Sequence, residues 1–428
     1  MGGEFRVGWF LWCVVRRWED ARMNSFFAEL GRTVRDRWKQ DNFSLERFPA
    51  IAQAALEERR PSEHVEPSVF LHEFLMNDDQ PAQTESGFGE PEIVVFEHPR
   101  FYIQVLFWMD GTTAIHQHEF SGAFHVWSGS SLHALFEFEN ARRVTPYLRI
   151  GDVRMKGIRL LEAGCTVPIV SGAGCIHSLF HLDTPSITVV LRTQHDPGTG
   201  PQFNYLPPHV AVDPVFSDTL TLRRKQILDL FERVQDPAYS AMVGEMLEEL
   251  DFERGFHILQ SAMGCLRDLG TWDEVLGVFK KKHGELAEGV APTLEEGARR
   301  DTIKAMRCTV QDPEHRFFLA LLMNAPTRGD VLALVAQRFP EEPPMETVLR
   351  WAGELLEEGD YGVSILDASF PLELEIGLDE QAGLWIEALR YFMEGGTSDS
   401  TGLQDFSGEA VGRVRAALAS SSLRVLLE

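Results

Sequence analysis

The chain is poor in cysteine and in positive charge. Five cysteines stand among 428 residues (Cys13, Cys165, Cys175, Cys265 and Cys308), with no C-x-x-C pair and no disulfide-rich spacing. A reduced, cytoplasmic setting is the simplest expectation. Lys and Arg total 40 against 65 Asp and Glu, a formal net charge of -25. Nucleic acid and anionic membranes both reward clustered cations, so neither is expected as the main partner. A long apolar run is missing too. Residues 8–15, GWFLWCVV between Arg6 and Arg16-Arg17, are too few to span a bilayer, and no small-residue cleavage site follows. Residues 1–22 are therefore expected to be a poorly ordered extension or the product of an upstream start, with a short membrane anchor as the alternative.

What is present divides by period. The length allows two or three domains, and 44% hydrophobic content is ordinary for a globular chain. Over 23–91, Phe26, Phe27, Leu30, Val34 and Trp38 recur at helical steps. Pro61, Pro67, Pro81 and Pro91 then break a connector with one brief apolar piece at 69–76. From Glu92 the period becomes two. Runs at 93–96, 102–108, 123–127, 134–138, 147–150, 153–161, 166–170 and 186–192 are strand candidates separated by turn residues. Eight such strands predict a closed or nearly closed antiparallel barrel or jelly roll over 92–212, ended by the Pro- and Gly-rich stretch 191–215. From 213 to 428 the spacing is helical, at 220–234, 241–250, 256–266, 294–306, 317–323, 331–339 and 345–356. The word Val-Gln-Asp-Pro occurs at 234–237 and 310–313, a faint hint of duplication. A loose loop at 395–406 precedes a last helix. The fold class is α+β: N-terminal helices, a β-barrel, and a C-terminal all-helical domain.

The chemistry sits in residues 101–129. A strand-like run ends at Trp108 and Gly111 provides a turn, after which come His116 and His118. Residues i and i+2 of a strand share a face, so this H-x-H pair aims two imidazoles at one point. Most bare H-x-H pairs bind nothing, but this one lies in a barrel-like region with a third candidate, His177, about sixty residues on. Three neutral imidazoles leave coordination positions open, as a catalytic rather than a structural metal site does.

The stretch from Trp108 through Gly111, Ile115-His116-Gln117-His118, Gly122 and Gly129, with Ile176-His177 ahead of the run 186–190, resembles the cupin superfamily. Within it, the thiol dioxygenases (cysteine and mercaptopropionate dioxygenases) are the nearest in pattern. The resemblance covers roughly residues 92–195. It implies a cupin barrel and an Fe(II) ion held by His116, His118 and His177, with Zn, Mn or Ni as lesser alternatives. Many cupins add a glutamate ligand four or five residues after the second histidine. Here those positions are Gly122 and Ala123, and Glu119 would face away on a continuing strand. The resemblance breaks at the substrate. No arginine lies in 87–97, where the family holds its substrate carboxylate, and the family's Ser-His-Tyr relay maps onto Ser186, Thr188 and Val190, retaining only the serine.

Strand parity suggests a rebuilt pocket. Tyr102, Gln104, Leu106 and Trp108 share one face, and Ser186, Thr188, Val190 and Arg192 another. Gln104 and Arg192 can supply polar contacts, Arg192 to a carboxylate in bidentate fashion. A strand-end salt bridge is the plain alternative for Arg192, and core packing for Tyr102. His181 and Ser186 are candidates for supporting the metal ligands from behind. His125 is expected on the surface or behind the site, His133 is background, and Cys175 is a small buried residue rather than a nucleophile.

The expected function is that of a mononuclear non-haem Fe(II) cupin dioxygenase. It would use O2 on a thiol, a cysteine-derived group, or another metal-chelating amino-acid or peptide substrate. The helical domain is left to recruit a protein or carrier partner. Two other classes share the same three histidines: a non-redox metal-dependent isomerase or lyase, and a non-catalytic ligand-binding cupin with a helical interaction domain.

Overall fold

The computed structural model describes residues 23–84, 88–109, 111–215, 218–357, 378–396 and 408–428. The expected extension at 1–22 and most of the loop at 395–406 lie outside the described residues.

Four helices precede the first strand: α1 (Met23–Gln40), α2 (Phe48–Arg59), α3 (Pro61–His64) and α4 (Pro67–Met76). The helical steps of α1 put Phe27, Leu30, Val34 and Trp38 on one buried stripe. Two prolines of the expected connector are helix starts: Pro61 and Pro67 sit in the first turn, where a missing N–H costs nothing.

Eleven strands follow, all paired antiparallel: β1 (Glu92–His98), β2 (Phe101–Trp108), β3 (Ile115–His118), β4 (Gly122–Ser128), β5 (Ser130–Arg143), β6 (Leu148–Glu162), β7 (Thr166–Ile169), β8 (Gly172–His181), β9 (Ser186–Thr193), β10 (Asn204–Leu206) and β11 (Val210–Val212). One sheet has the order β1-β2-β9-β4-β7, and the other closes as β10-β11-β6-β5-β8-β3. The second sheet is a closed six-stranded antiparallel β-barrel, the first packs against it, and helices precede and follow both along the chain.

Three departures from the eight-strand expectation have physical reasons. Residues 147–150 and 153–161 belong to one long strand, β6, because β5 is long enough to pair along it. Residues 172–181 form β8, so His177 lies within a strand rather than before one. β8 is buried on both faces from Cys175 onward and so shows no polar–apolar alternation. The stretch expected to end the barrel contributes β10 and β11, three residues each, whose pairing with β3 and β6 closes the second sheet.

Parity assigns each face a partner. The odd residues of β2 and β9 (Phe101, Ile103, Val105, Phe107, Ile187, Val189, Leu191) pack under α1, α2 and α4. The even ones face the other sheet, where Leu106, Trp108, Phe124, Val126 and Val190 meet Leu161 and Leu179. On the far side, Ile115, Ala134, Phe136, Ile176, Tyr205 and Ala211 form a separate cluster.

The helices after the barrel are α5 (Thr219–Arg233), α6 (Tyr239–Glu249), α7 (Phe252–Asp268), α8 (Trp272–His283), α9 (Val290–Thr309), α10 (Pro313–Asn324), α11 (Arg328–Arg338), α12 (Pro344–Glu357), α13 (Leu378–Met393) and α14 (Gly408–Ser420). The aspartates of the two Val-Gln-Asp-Pro words do similar local work. Asp312 caps α10 through the Glu314 and His315 N–H groups, and Asp236 accepts from Ala238 just ahead of α6. These helices share their cores with the barrel: Leu132, Leu160, Phe180 and Leu182 pack with Phe317, Phe318 and Leu321, and Leu148 and Val210 with α6 to α9. Arginines seal the seam. Arg307 donates to the His181 carbonyl and lies over the Phe180 ring, Arg316 donates to Thr184 Oγ1, and Arg338 to Ser130 Oγ.

Gly122 leaves no room for a side chain against β9. A Cβ there would sit 2.0 Å from the Leu191 carbonyl oxygen and 2.9 Å from Arg192 Cα, both backbone atoms of β9. Gly122→Ala is expected to destabilise the fold by about 1–3 kcal/mol or more, read as a lowered urea midpoint. A midpoint unchanged from wild type would contradict the β4–β9 register.

Candidate metal centre

β3 carries His116 and His118 on the face turned toward the first sheet, while Ile115 and Gln117 point the other way, Gln117 to the Tyr205 hydroxyl. β8 runs antiparallel to β3 with His116 opposite His177. Ring nitrogens of His116, His118 and His177 lie within 4.8 Å of one another, all three residues being buried. His118 Nε2 and His177 Nε2 approach to 2.8 Å. With metal–nitrogen bonds of about 2.0–2.1 Å, three convergent imidazole nitrogens at such separations fit one ion.

The protonation pattern agrees. His116 Nδ1 lies 2.9 Å from the Ala114 carbonyl, which can only accept, so the proton of a neutral His116 is on Nδ1. Its Nε2 lone pair is then free, buried and without a protein partner. Burial lowers the pKa of all three histidines; His116 and Arg192 lower His118 further, and His116, His118 and His133 do so for His177. The cluster is thus three neutral donors, the state a metal ligand requires. A buried nitrogen without a partner costs about 1–3 kcal/mol, and an ion at the convergence point would remove that cost.

The remaining residues divide. Trp108 does face the interior, but it stacks on His181 (4.6 Å between centroids, 13° between planes) and donates to Thr188 Oγ1. His181 Nδ1 meets Ser131 Oγ at 2.9 Å, and no contact joins His181 to the three histidines among the described residues. Ser186 donates to the Ser130 and Asp183 carbonyls and serves the β8–β9 turn. The support expected from His181 and Ser186 is therefore misplaced: both stand at the end of the strands that carries the turn. Tyr102, Gln104 and Arg192 gather at the other end. Tyr102 is opposite Arg192 in register. The Arg192 guanidinium lies 3.4 Å from the Phe120 ring centroid and 5.2 Å from that of Tyr102, and it donates to the Thr193 and Gln194 carbonyls. The expected strand-end salt bridge is not among the described ion pairs. Gln104 is buried with its Oε1 unpartnered.

Glu119 lies outside the cluster, in the bend after β3, with His195 at 3.7 Å. Cys175 is buried, and burial pushes its thiol up to about 11, so it is an inert packing residue. Two histidines overturn their expectation. His125 has outward parity, yet the outer face of its sheet is roofed by helices, and the ring is buried between Thr166 Oγ1 (2.9 Å) and Ser62 Oγ (3.0 Å). His133, expected to be background, is fully buried on β5 with its Nε2 2.9 Å from His177 Nδ1. Nothing near His133 in sequence announces this, because the contact depends on the β5–β8 register.

No family model and no curated protein matches the chain. Among solved structures it is similar to hydroquinone 1,2-dioxygenase from Sphingomonas sp. TTNP3 with 4-hydroxybenzoate bound (10% identity, 25% of this chain and 68% of that chain, TM-score 0.20). It is also similar to hydroquinone 1,2-dioxygenase PnpCD in complex with Cd2+ and 4-hydroxybenzonitrile (13% identity, 29% of this chain and 86% of that chain, TM-score 0.19). Similarity at these TM-scores carries no conclusion about this chain.

Burial holds His125 down at about 4 and His181 at about 3. Both are neutral when folded and become protonated in the unfolded chain as pH falls below about 6.5. Stability is therefore retained above that pH and lost as pH falls toward 4. For each such histidine the slope approaches about 1.4 kcal/mol per pH unit. Urea unfolding between pH 7.5 and 5 should show this loss, and a His125→Gln variant should show a slope shallower by roughly one proton. Identical slopes would contradict the buried neutral His125.

Proposed function

We propose that the protein is a mononuclear metal-dependent cupin oxygenase, with Fe(II) held by His116, His118 and His177 and O2 as co-substrate. The observation that carries this reading is the convergence of three buried imidazoles, with the His116 Nε2 lone pair free and, among the described residues, no carboxylate joining them. The donor set suits a divalent first-row ion and leaves positions for exogenous ligands. An Fe(II) ion bound there supplies the electrons that O2 chemistry needs.

The chain's own residues provide the rest. Leu106, Phe120, Phe124 and Val190 form apolar walls around the centre and exclude water. Arg192, stacked on Phe120 and electrostatically coupled to His118, faces the same space and binds the anionic group of the substrate. Gln104 Oε1 accepts a hydrogen bond from a substrate N–H or O–H, and Tyr102 lines the approach. Together these features favour a small, anionic, chelating substrate: a thiol, a cysteine-derived group, or an amino-acid or peptide derivative.

Protein purified without added metal should contain about one iron per chain, and His116→Ala, His118→Ala or His177→Ala should each abolish that content. Oxygen uptake should follow addition of candidate thiols and amino-acid derivatives to the iron-loaded protein. Arg192→Leu should raise KM for an anionic substrate with a smaller effect on kcat. Zinc in place of iron with no oxygen uptake would replace this reading by a non-redox one, and full metal content in His177→Ala would remove the site assignment.

A further inference from the structure

We propose that His133 is a positioning residue for the metal centre: its Nε2 accepts a hydrogen bond from His177 Nδ1–H and thereby presents the His177 Nε2 lone pair to the ion. This rests on the reading that His116, His118 and His177 hold a metal.

The geometry is specific. β5 pairs with β8 so that Leu135 is opposite His177 and His133 opposite Leu179. His133 is thus the diagonal neighbour of His177 on the same face, within reach of a long side chain. The nitrogens are 2.9 Å apart, with ring centroids 5.1 Å apart and ring planes at 89°. That attitude is a hydrogen bond between ring edges and not a stack.

Proton counting then sets the direction. His177 has one nitrogen 2.8 Å from His118 Nε2 and the other 2.9 Å from His133 Nε2. A neutral imidazole carries one proton, so it can donate to only one of them. With the proton on Nε2, His177 donates to His118 and has no lone pair at the convergence point. With the proton on Nδ1, His177 donates to His133, and its own Nε2 lone pair faces the convergence point beside that of His116. Only the second arrangement offers a His177 lone pair to an ion. His133 would act on His177 as the Ala114 carbonyl acts on His116, with its own proton on Nδ1, a buried nitrogen without a partner among the described residues. His118 has no such partner: its Nδ1 is unpaired, and its ring is held by Phe120 at 4.4 Å between centroids.

The test uses the full chain and Co(II) alone as the probe, titrated against a competing chelator and followed by its visible spectrum. His133→Gln keeps an acceptor oxygen, whereas His133→Phe keeps a ring without one. Wild type and His133→Gln should bind Co(II) within about threefold of each other, while His133→Phe should bind roughly ten- to hundredfold more weakly, with an altered spectrum. Equal affinity and an unchanged spectrum in His133→Phe would overturn the proposal while leaving the metal reading intact. Absence of Co(II) binding by wild type would overturn both. Should His133→Phe not fold, the ring 15N shifts of metal-free wild type decide: Nδ1–H tautomers at His177 and His133 are expected, and an Nε2–H tautomer at His133 would overturn the proposal.

Discussion

The structure depends on keeping a group of imidazoles neutral and oriented inside an apolar sandwich. A buried ring nitrogen is met as a donor with an acceptor, an acceptor with a donor, or a lone pair with an ion, and an unmet one is costly, as His118 Nδ1, His133 Nδ1 and His181 Nε2 are among the described residues. His116 meets the condition through a carbonyl two residues away, and His177 through an imidazole on another strand. The three nitrogens that remain point at one place. Their arrangement is a consequence of two sheets facing each other with an apolar cluster between them.

The layers around this centre serve to fix it. The N-terminal helices cover one sheet so completely that even an outward histidine, His125, is buried and paired. The later helices close over the second sheet and share its hydrophobic clusters. Arg307, Arg316 and Arg338 reach from these helices to the β8–β9 turn and to Ser130, tying the strand that carries His177 to the helical half. A buried ion cluster of Glu296 with Arg299, Arg300 and Arg424 fastens the last residues of the chain to α9. Removing one member would strand a buried charge, the costly direction for such clusters.

The two ends of the barrel interior differ in character. At the β8–β9 turn, Trp108 stacks on His181 and donates to Thr188, and His181 Nδ1 meets Ser131, which makes a packed structural plug. At the opposite end Arg192 and Gln104 retain unused polar capacity beside Tyr102 and Phe120. Residues alternating on the same two strands thus divide between packing and recognition by their depth along the strand. Parity shows which side chains face inward but carries no information about depth.

The order of helices, strands and helices was legible in the sequence, since a change of period from 3.6 to 2 and back is a local property. So was the shared facing of His116 and His118, because i and i+2 on a strand share a face whatever the strand pairs with. The strand β8 was not legible, because burial on both faces erases alternation, nor were β10 and β11, whose three-residue lengths have no pattern of their own. The register of β5 on β8 decided that His133 touches His177, and the register of β8 on β3 brought His177 to His116. Registers are set by the simultaneous packing of whole faces, not by any one segment. The sequence by itself therefore determined the kinds of element and the chemistry available to them. Tertiary structure decided which imidazoles meet, and in which protonation state.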